Sequence, residues 1–243
     1  MDRKTYIKNI YSVFWITARE KKYGFLEYDK NLCEYLCRNV FGNAKLLDVG
    51  CGTGYPFGDF FNKAGYKIYG IDISPSLIKK CQELYPNIKS KIGDAENIPY
   101  PDNNFDTTYC FHSSWYFTDL KKAIDEMIRV TRPGGFIIFD AMNYHNQDIK
   151  RECQKEININ RGLGRVKKYL KNIAKIILRK GTPDWHFVVV TSPTKPDEVC
   201  QYLWSKKINN FKVLTKEKDD SIKLQETLGL FPEYPRLIFI IQK

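Results

Sequence analysis

The 243-residue sequence predicts an α/β protein, a mostly parallel sheet with helices on both faces. Three observations carry this. Short apolar runs alternate with stretches of helical period between residues 45 and 141. Three of those runs lead to an acid, at Asp48, Asp72 and Asp94. The first then opens into the alternating glycines Gly50, Gly52 and Gly54.

The elements follow in order. Over residues 5–22, Ile7, Ile10, Tyr11, Phe14 and Ala18 fall on one helical face, with Tyr11, Trp15 and Arg19 along an edge. A second helix over 29–40 turns Leu32, Leu36 and Val40 inward. Strands are expected at 45–49, 67–72, 88–92, 105–111 and 136–141, the last following a Pro133-Gly134-Gly135 turn. Between them lie helices after Pro56, from Ser74, and from Thr118 or Asp119 to Arg129. Ser74 followed by Pro75 supplies a capping hydroxyl and a preset φ. After residue 141 the alternation breaks. A strand at 185–190, a helix over 196–206 preceded by Thr194 as a capping candidate, and strands at 211–214 and 236–241 complete the reading.

The loop from Leu46 to Gly54 is the informative stretch. Glycine permits positive φ and close approach of backbone to a ligand, and the helix that follows offers unpaired N–H groups to an anion. Asp72 lies eighteen residues beyond Gly54, about where nucleotide-binding folds hold a ribose hydroxyl. The loop is G-x-G-x-G, with Tyr55 where a dinucleotide fingerprint carries its last glycine, which suits a ligand without a pyrophosphate.

Together with 98–106 (IPYPDNNFD) and 129–136 (RVTRPGGF), these motifs resemble the class I S-adenosylmethionine-dependent methyltransferases, in particular their small-molecule branch. The resemblance spans about residues 44–140. It implies a Rossmann-like, mostly parallel seven-stranded sheet whose last two strands form an edge hairpin, with S-adenosylmethionine as cofactor. It implies a helical lid over 1–43, a cofactor-binding core over 44–141, a basic insertion over 142–195 and a sheet-completing segment over 196–243. Asp48 and Cys51 would sit at the methionine end of the cofactor, Asp72 on the ribose hydroxyls, and Asp94 with Ala95 on the adenine, with Gly50, Gly52, Gly54 and Ile73 also cofactor-binding. Phe111 and, from the lid, Tyr11 and Arg19 would add contacts.

Methyl transfer from a sulfonium needs alignment more than catalytic groups, and a base only where the acceptor must lose a proton. His112, after the fourth strand, and His145, after the fifth, are candidate bases; each could equally be structural, and His186 reads as structural. Trp115 and Tyr116, with Trp15 of the lid, are candidate acceptor contacts. After the fourth strand the run is CFHSSW, without the Asn/Asp-Pro-Pro-aromatic or Pro-Cys signatures of base-modifying enzymes. A metabolite acceptor is therefore favoured over nucleic acid.

Composition sets the outer bounds. No apolar run reaches membrane-spanning length, and the N-terminus lacks a signal-peptide pattern, so a cytoplasmic protein is expected. Seven irregularly spaced cysteines argue for free thiols; Cys33 and Cys37 could hold half a metal site, but nothing completes it, and no metal is expected. The net charge of +11 points to anionic partners. Residues 147–181 carry +8 of it, with eleven Lys and Arg against three acids. There Val166, Tyr169, Leu170, Ile173, Ile176 and Ile177 make an apolar stripe, with Lys167, Lys168, Lys171 and Lys175 off it. Three readings stay open for this helix: a cap packed on the sheet, recognition of an anionic acceptor, and attachment to an anionic membrane surface. Two other functions also stay open, an RNA methyltransferase using the insertion as a phosphate-binding arm and a non-catalytic S-adenosylmethionine-binding protein.

Overall fold

In a computed structural model, described for residues 3–8, 24–42, 44–178, 192–217, 219–225 and 229–243, the sheet has eight strands in the order β3-β2-β1-β4-β5-β8-β6-β7. Strands β1 (Lys45–Val49), β2 (Lys67–Asp72), β3 (Lys89–Ile92), β4 (Phe105–Cys110) and β5 (Thr131–Met142) are parallel. β6 (Phe211–Lys216), β7 (Ile222–Leu224) and β8 (Arg236–Gln242) join antiparallel. β6 and β8 pair antiparallel but do not form the expected edge hairpin: β8 lies between β5 and β6, and the edge is β7, an eighth strand of three residues too short to show a pattern in sequence. The strand order reverses between β1 and β4. Ligands of such sheets bind outside the carboxyl ends at that switch point.

Helices cover both faces, and their burial explains why they form. On one side α2 (Glu27–Asn39) buries Tyr28, Asp29, Leu32, Cys33 and Leu36, and α3 (Phe57–Lys63) adds Phe57 and Phe61. On the other, α5 (Leu120–Val130) buries Ala123, Ile124, Met127 and Val130 at helical spacing, and α8 (Pro196–Ser205) buries Val199, Cys200 and Leu203. α4 (Pro75–Leu84) starts as expected, with the Ser74 hydroxyl accepting from the Leu77 amide. Asp119 caps α5 by accepting from Lys122 N at 3.1 Å. Thr194 does not cap α8: Lys195 takes that position without a side-chain bond, and the Thr194 backbone instead bridges to Asn143.

The expected Pro133-Gly134-Gly135 turn is part of β5, which begins at Thr131. The register between β4 and β5 slips there, pairing Phe105 with Thr131 but Thr107 with Phe136, so the extra residues form a bulge. A Cβ on Gly135 would run into the Asp106 carbonyl oxygen. Gly135→Ala should accordingly lower stability by about 1–3 kcal/mol, read as a fall in urea midpoint. Of the first helix, the described residues give α1 (Arg3–Tyr6); Tyr11, Trp15, Arg19, the expected strand at 185–190 and His186 lie outside them. Beyond β5, α6 (Gln147–Asn160) and α7 (Gly162–Ile177) form a packed pair.

Candidate active site

A pocket opens at the carboxyl ends of β1, β2 and β4. Its base is the loop after β1. Gly50, at φ +81°, donates from N to Ile71 O at 2.8 Å and accepts the Ser113 hydroxyl at 3.0 Å. A Cβ on Gly50 would lie 2.7 Å from the Ser113 side chain. Gly52, at φ +55°, also lines the pocket, and a Cβ there would meet no atom within 4 Å. This bare backbone cradle leaves room for a ligand against the main chain.

Asp72 ends β2 beside it. Its Oδ2 accepts from Gly52 N at 3.0 Å and its Oδ1 from Ser74 N at 2.9 Å, so one carboxylate ties the glycine loop to the start of α4. Burial pushes this carboxyl up to about 6, against the pull of the two amides. Ile73 lies alongside, with Asp94, Ala95 and Glu96 on the next wall. The Asp94 carboxylate accepts from Glu96 N at 2.9 Å.

His112, Ser113, Tyr116 and Phe117 make the wall from β4. His112 has φ +57°, a conformation uncommon for a residue with a side chain. Its amide donates to both carboxylate oxygens of Asp140, at 3.0 and 3.1 Å, and its Nε2 lies 3.1 Å from Asp29 Oδ1. Arg236 joins the group, with Nη1 3.0 Å from Asp29 Oδ1, Nη2 paired to Asp140, and its guanidinium 4.9 Å from the Tyr28 ring centre. Burial alone would raise Asp29, yet the His112 hydrogen bond and the Arg236 charge hold it down to about 2. Burial, and then Arg236, lower His112, while Asp29 pulls the other way. The net effect favours a neutral imidazole. A neutral ring that donates from Nε2 to Asp29 carries its basic lone pair on Nδ1.

The pocket thus gathers Gly50, Gly52, Asp72, Ile73, Asp94, Ala95, His112 and Tyr116 from the sequence-derived set. Asp48, Cys51 and Phe111 are buried and are not among its lining residues. Gly54, at φ +86°, faces Cys81, Ile88 and Tyr85 instead. Trp115 packs against His112, ring centres 6.0 Å apart, and its carbonyl accepts from Arg3 at 2.6 Å. His145 is not brought to the pocket; its Nε2 is 3.1 Å from Asp197, at the start of α8.

Several pocket residues escaped the sequence reading. Lys4 and Ile7 line it from the N-terminal segment, Lys4 Nζ lying 2.7 Å from both Asp94 and Glu96 carboxylates. Nothing local marks a lysine for that role. Asp29 and Asp140 did leave a signal, since each is a lone acid on an apolar face, Asp29 in register with Leu32 and Leu36.

Comparison with known proteins agrees with this geometry. Residues 47–139 match the model of a family described as a methyltransferase domain. That segment is a class I S-adenosylmethionine-dependent methyltransferase domain. The chain is 34% identical over 98 residues to malonyl-[acyl-carrier protein] O-methyltransferase of Serratia marcescens, covering 40% of this chain and 38% of that protein. It is 35% identical over 103 residues to demethylmenaquinone methyltransferase of Paenarthrobacter aurescens, covering 41% and 39%. The chain thus aligns with about two fifths of the length of these relatives. A solved S-adenosylmethionine-dependent methyltransferase of Thermotoga maritima shares the fold, with a TM-score of 0.60 at 17% identity over 96% of this chain and all of that one.

S-adenosylmethionine is the cofactor of such a methyltransferase domain, and the pocket fits it. The bare Gly52 cradle leaves space against the backbone, and the carboxylates of Asp72 and Asp94 are hydrogen-bond acceptors on the pocket walls.

Proposed function

We propose that the protein is a cytoplasmic methyltransferase that transfers the methyl group of S-adenosylmethionine to an oxygen or nitrogen of a small or lipid-linked acceptor. One observation carries the reading: the pocket that offers the cofactor-binding set also exposes His112, held by Asp29. The matched relatives are named as methyltransferases of malonyl-[acyl-carrier protein], tocopherol and norajmaline, which supports a metabolite acceptor.

S-adenosylmethionine supplies an activated methyl group for in-line displacement. Gly50 and Gly52 let the backbone approach it, while Asp72 and Asp94 orient its sugar and base. His112 takes the proton that an acceptor hydroxyl must lose, and Asp29 stabilises the resulting imidazolium. Tyr116 and Phe117 exclude water from the acceptor side. Lys4 and Ile7, from the segment read as the lid, narrow the mouth.

The test uses methyl-labelled S-adenosylmethionine and an extract of the source cells, separated into RNA, protein, lipid and small-molecule fractions. Label in the lipid or small-molecule fraction is expected. Label in nuclease-sensitive material would assign the enzyme to RNA instead, and absence of transfer despite cofactor binding would assign a non-catalytic role. With the acceptor in hand, His112→Ala should lower kcat about 10²–10⁴-fold at unchanged cofactor affinity. A wild-type rate from this variant would leave the pocket without its base.

A further inference from the structure

We propose that α7 is a membrane-docking helix that lies flat on an anionic lipid surface. The inference is independent of which acceptor the pocket takes. It begins with an inversion of packing: the apolar stripe of this helix does not cover the sheet. The half-buried or buried positions are Gly164, Lys168, Asn172, Ile173 and Lys175, so the inward side is mostly polar and takes only Ile173 from the stripe, with Lys168 Nζ donating to Asn160 Oδ1 of α6 at 3.1 Å. Leu163, Val166, Tyr169 and Leu170 are instead 50–80% exposed. Exposing four large apolar side chains in a row forgoes about 1.5–3 kcal/mol for each aliphatic one that burial would return. A contiguous apolar patch of this kind marks a surface that something covers.

Charge selects the occupant. α7 has five basic residues, Arg165, Lys167, Lys168, Lys171 and Lys175, and no acid. At about 100° per residue, Lys167 and Lys171 border the stripe on one side and Arg165 on the other. Basic borders around an apolar face are what an in-plane interfacial helix needs, its apolar residues in the acyl boundary and its cations at anionic headgroups. A second copy of the chain would place one basic helix without acids against another. A nucleic acid would meet an apolar face where phosphates require cations. Among the described residues, none that lines the methyltransferase pocket comes from α7, so docking leaves that pocket uncommitted.

Flotation of the full-length protein with vesicles tests this, comparing phosphatidylcholine alone with phosphatidylcholine mixed with phosphatidylglycerol. The wild type should float with the anionic vesicles only, and added salt should release it. Lys167→Glu with Lys171→Glu, and separately Leu163→Ser with Leu170→Ser, should each lower the vesicle-bound fraction at least about tenfold. Both should keep wild-type cofactor affinity, which shows that they fold. The proposal is overturned if the protein ignores anionic vesicles, binds neutral ones equally, or if the folded variants float like wild type. Ignored vesicles together with a dimer that the serine variant dissociates would assign the face to self-association. Ignored vesicles together with salt-sensitive RNA binding would assign it to nucleic acid.

Discussion

Replacing Asp72 by alanine is expected to weaken S-adenosylmethionine binding ten- to a hundredfold by calorimetry. The variant would lose the hydrogen bonds proposed to the ribose, worth about 1.5–3 kcal/mol when the acceptor is charged. It also orphans the amides of Gly52 and Ser74, which loosens the glycine loop before any ligand arrives. Unchanged affinity in a folded variant would remove Asp72 from the cofactor site. The same carboxyl should give binding a pH dependence. It titrates near 6 in the free protein, so its charge is lost on acidification through that value. Where only the carboxylate binds well, affinity falls roughly tenfold between pH 7 and pH 5, and Asp72→Asn flattens this dependence. The stability of the unliganded protein responds oppositely. A carboxyl raised in the folded state contributes fully at pH below its unfolded value, and the contribution is lost as pH rises through about 6.

Arg236→Met should produce the largest loss of stability, about 3–5 kcal/mol, because it leaves the buried carboxylates of Asp29 and Asp140 without their shared cation. In a chain of this size that corresponds to a fall in Tm of roughly 6–20 °C. Lysine is no substitute, since one ammonium cannot place two nitrogens on two carboxylates as a guanidinium does. Adding Asp29→Asn and Asp140→Asn to Arg236→Met should restore much of the loss by removing the stranded charges. If Arg236→Met alone melts like wild type, the cluster does not hold α2, β5 and β8 together. Asp29 sets the acid limit of the same cluster. Its depressed carboxyl contributes stability above the ordinary aspartate range, and that contribution is lost as pH falls through about 2.

What could be read in the sequence was whatever depends on neighbours along the chain. The parallel strands were legible because each is a short apolar run closed by a turn, and the pocket-lining Gly50, Gly52, Asp72 and Asp94 because each sits at a strand's carboxyl end. Ser74 declared its cap for the same reason. The bulge at Pro133-Gly134-Gly135 read as a turn because a bulge is defined by the partner strand, which periodicity does not reveal.

The sequence by itself determined the α/β class, the strand-to-loop position of Gly50, Gly52, Asp72 and Asp94, and the amphipathic character of α7. Only the tertiary structure placed His112 on the pocket wall against Asp29, which Arg236 reaches from 207 residues away, and seated His145 against Asp197 instead. It also decided which side of α7 faces outward, and how Lys4 reaches Asp94 across ninety residues. Backbone periodicity is a local property, whereas ion pairs and exposed faces depend on which distant surfaces the closed sheet brings together.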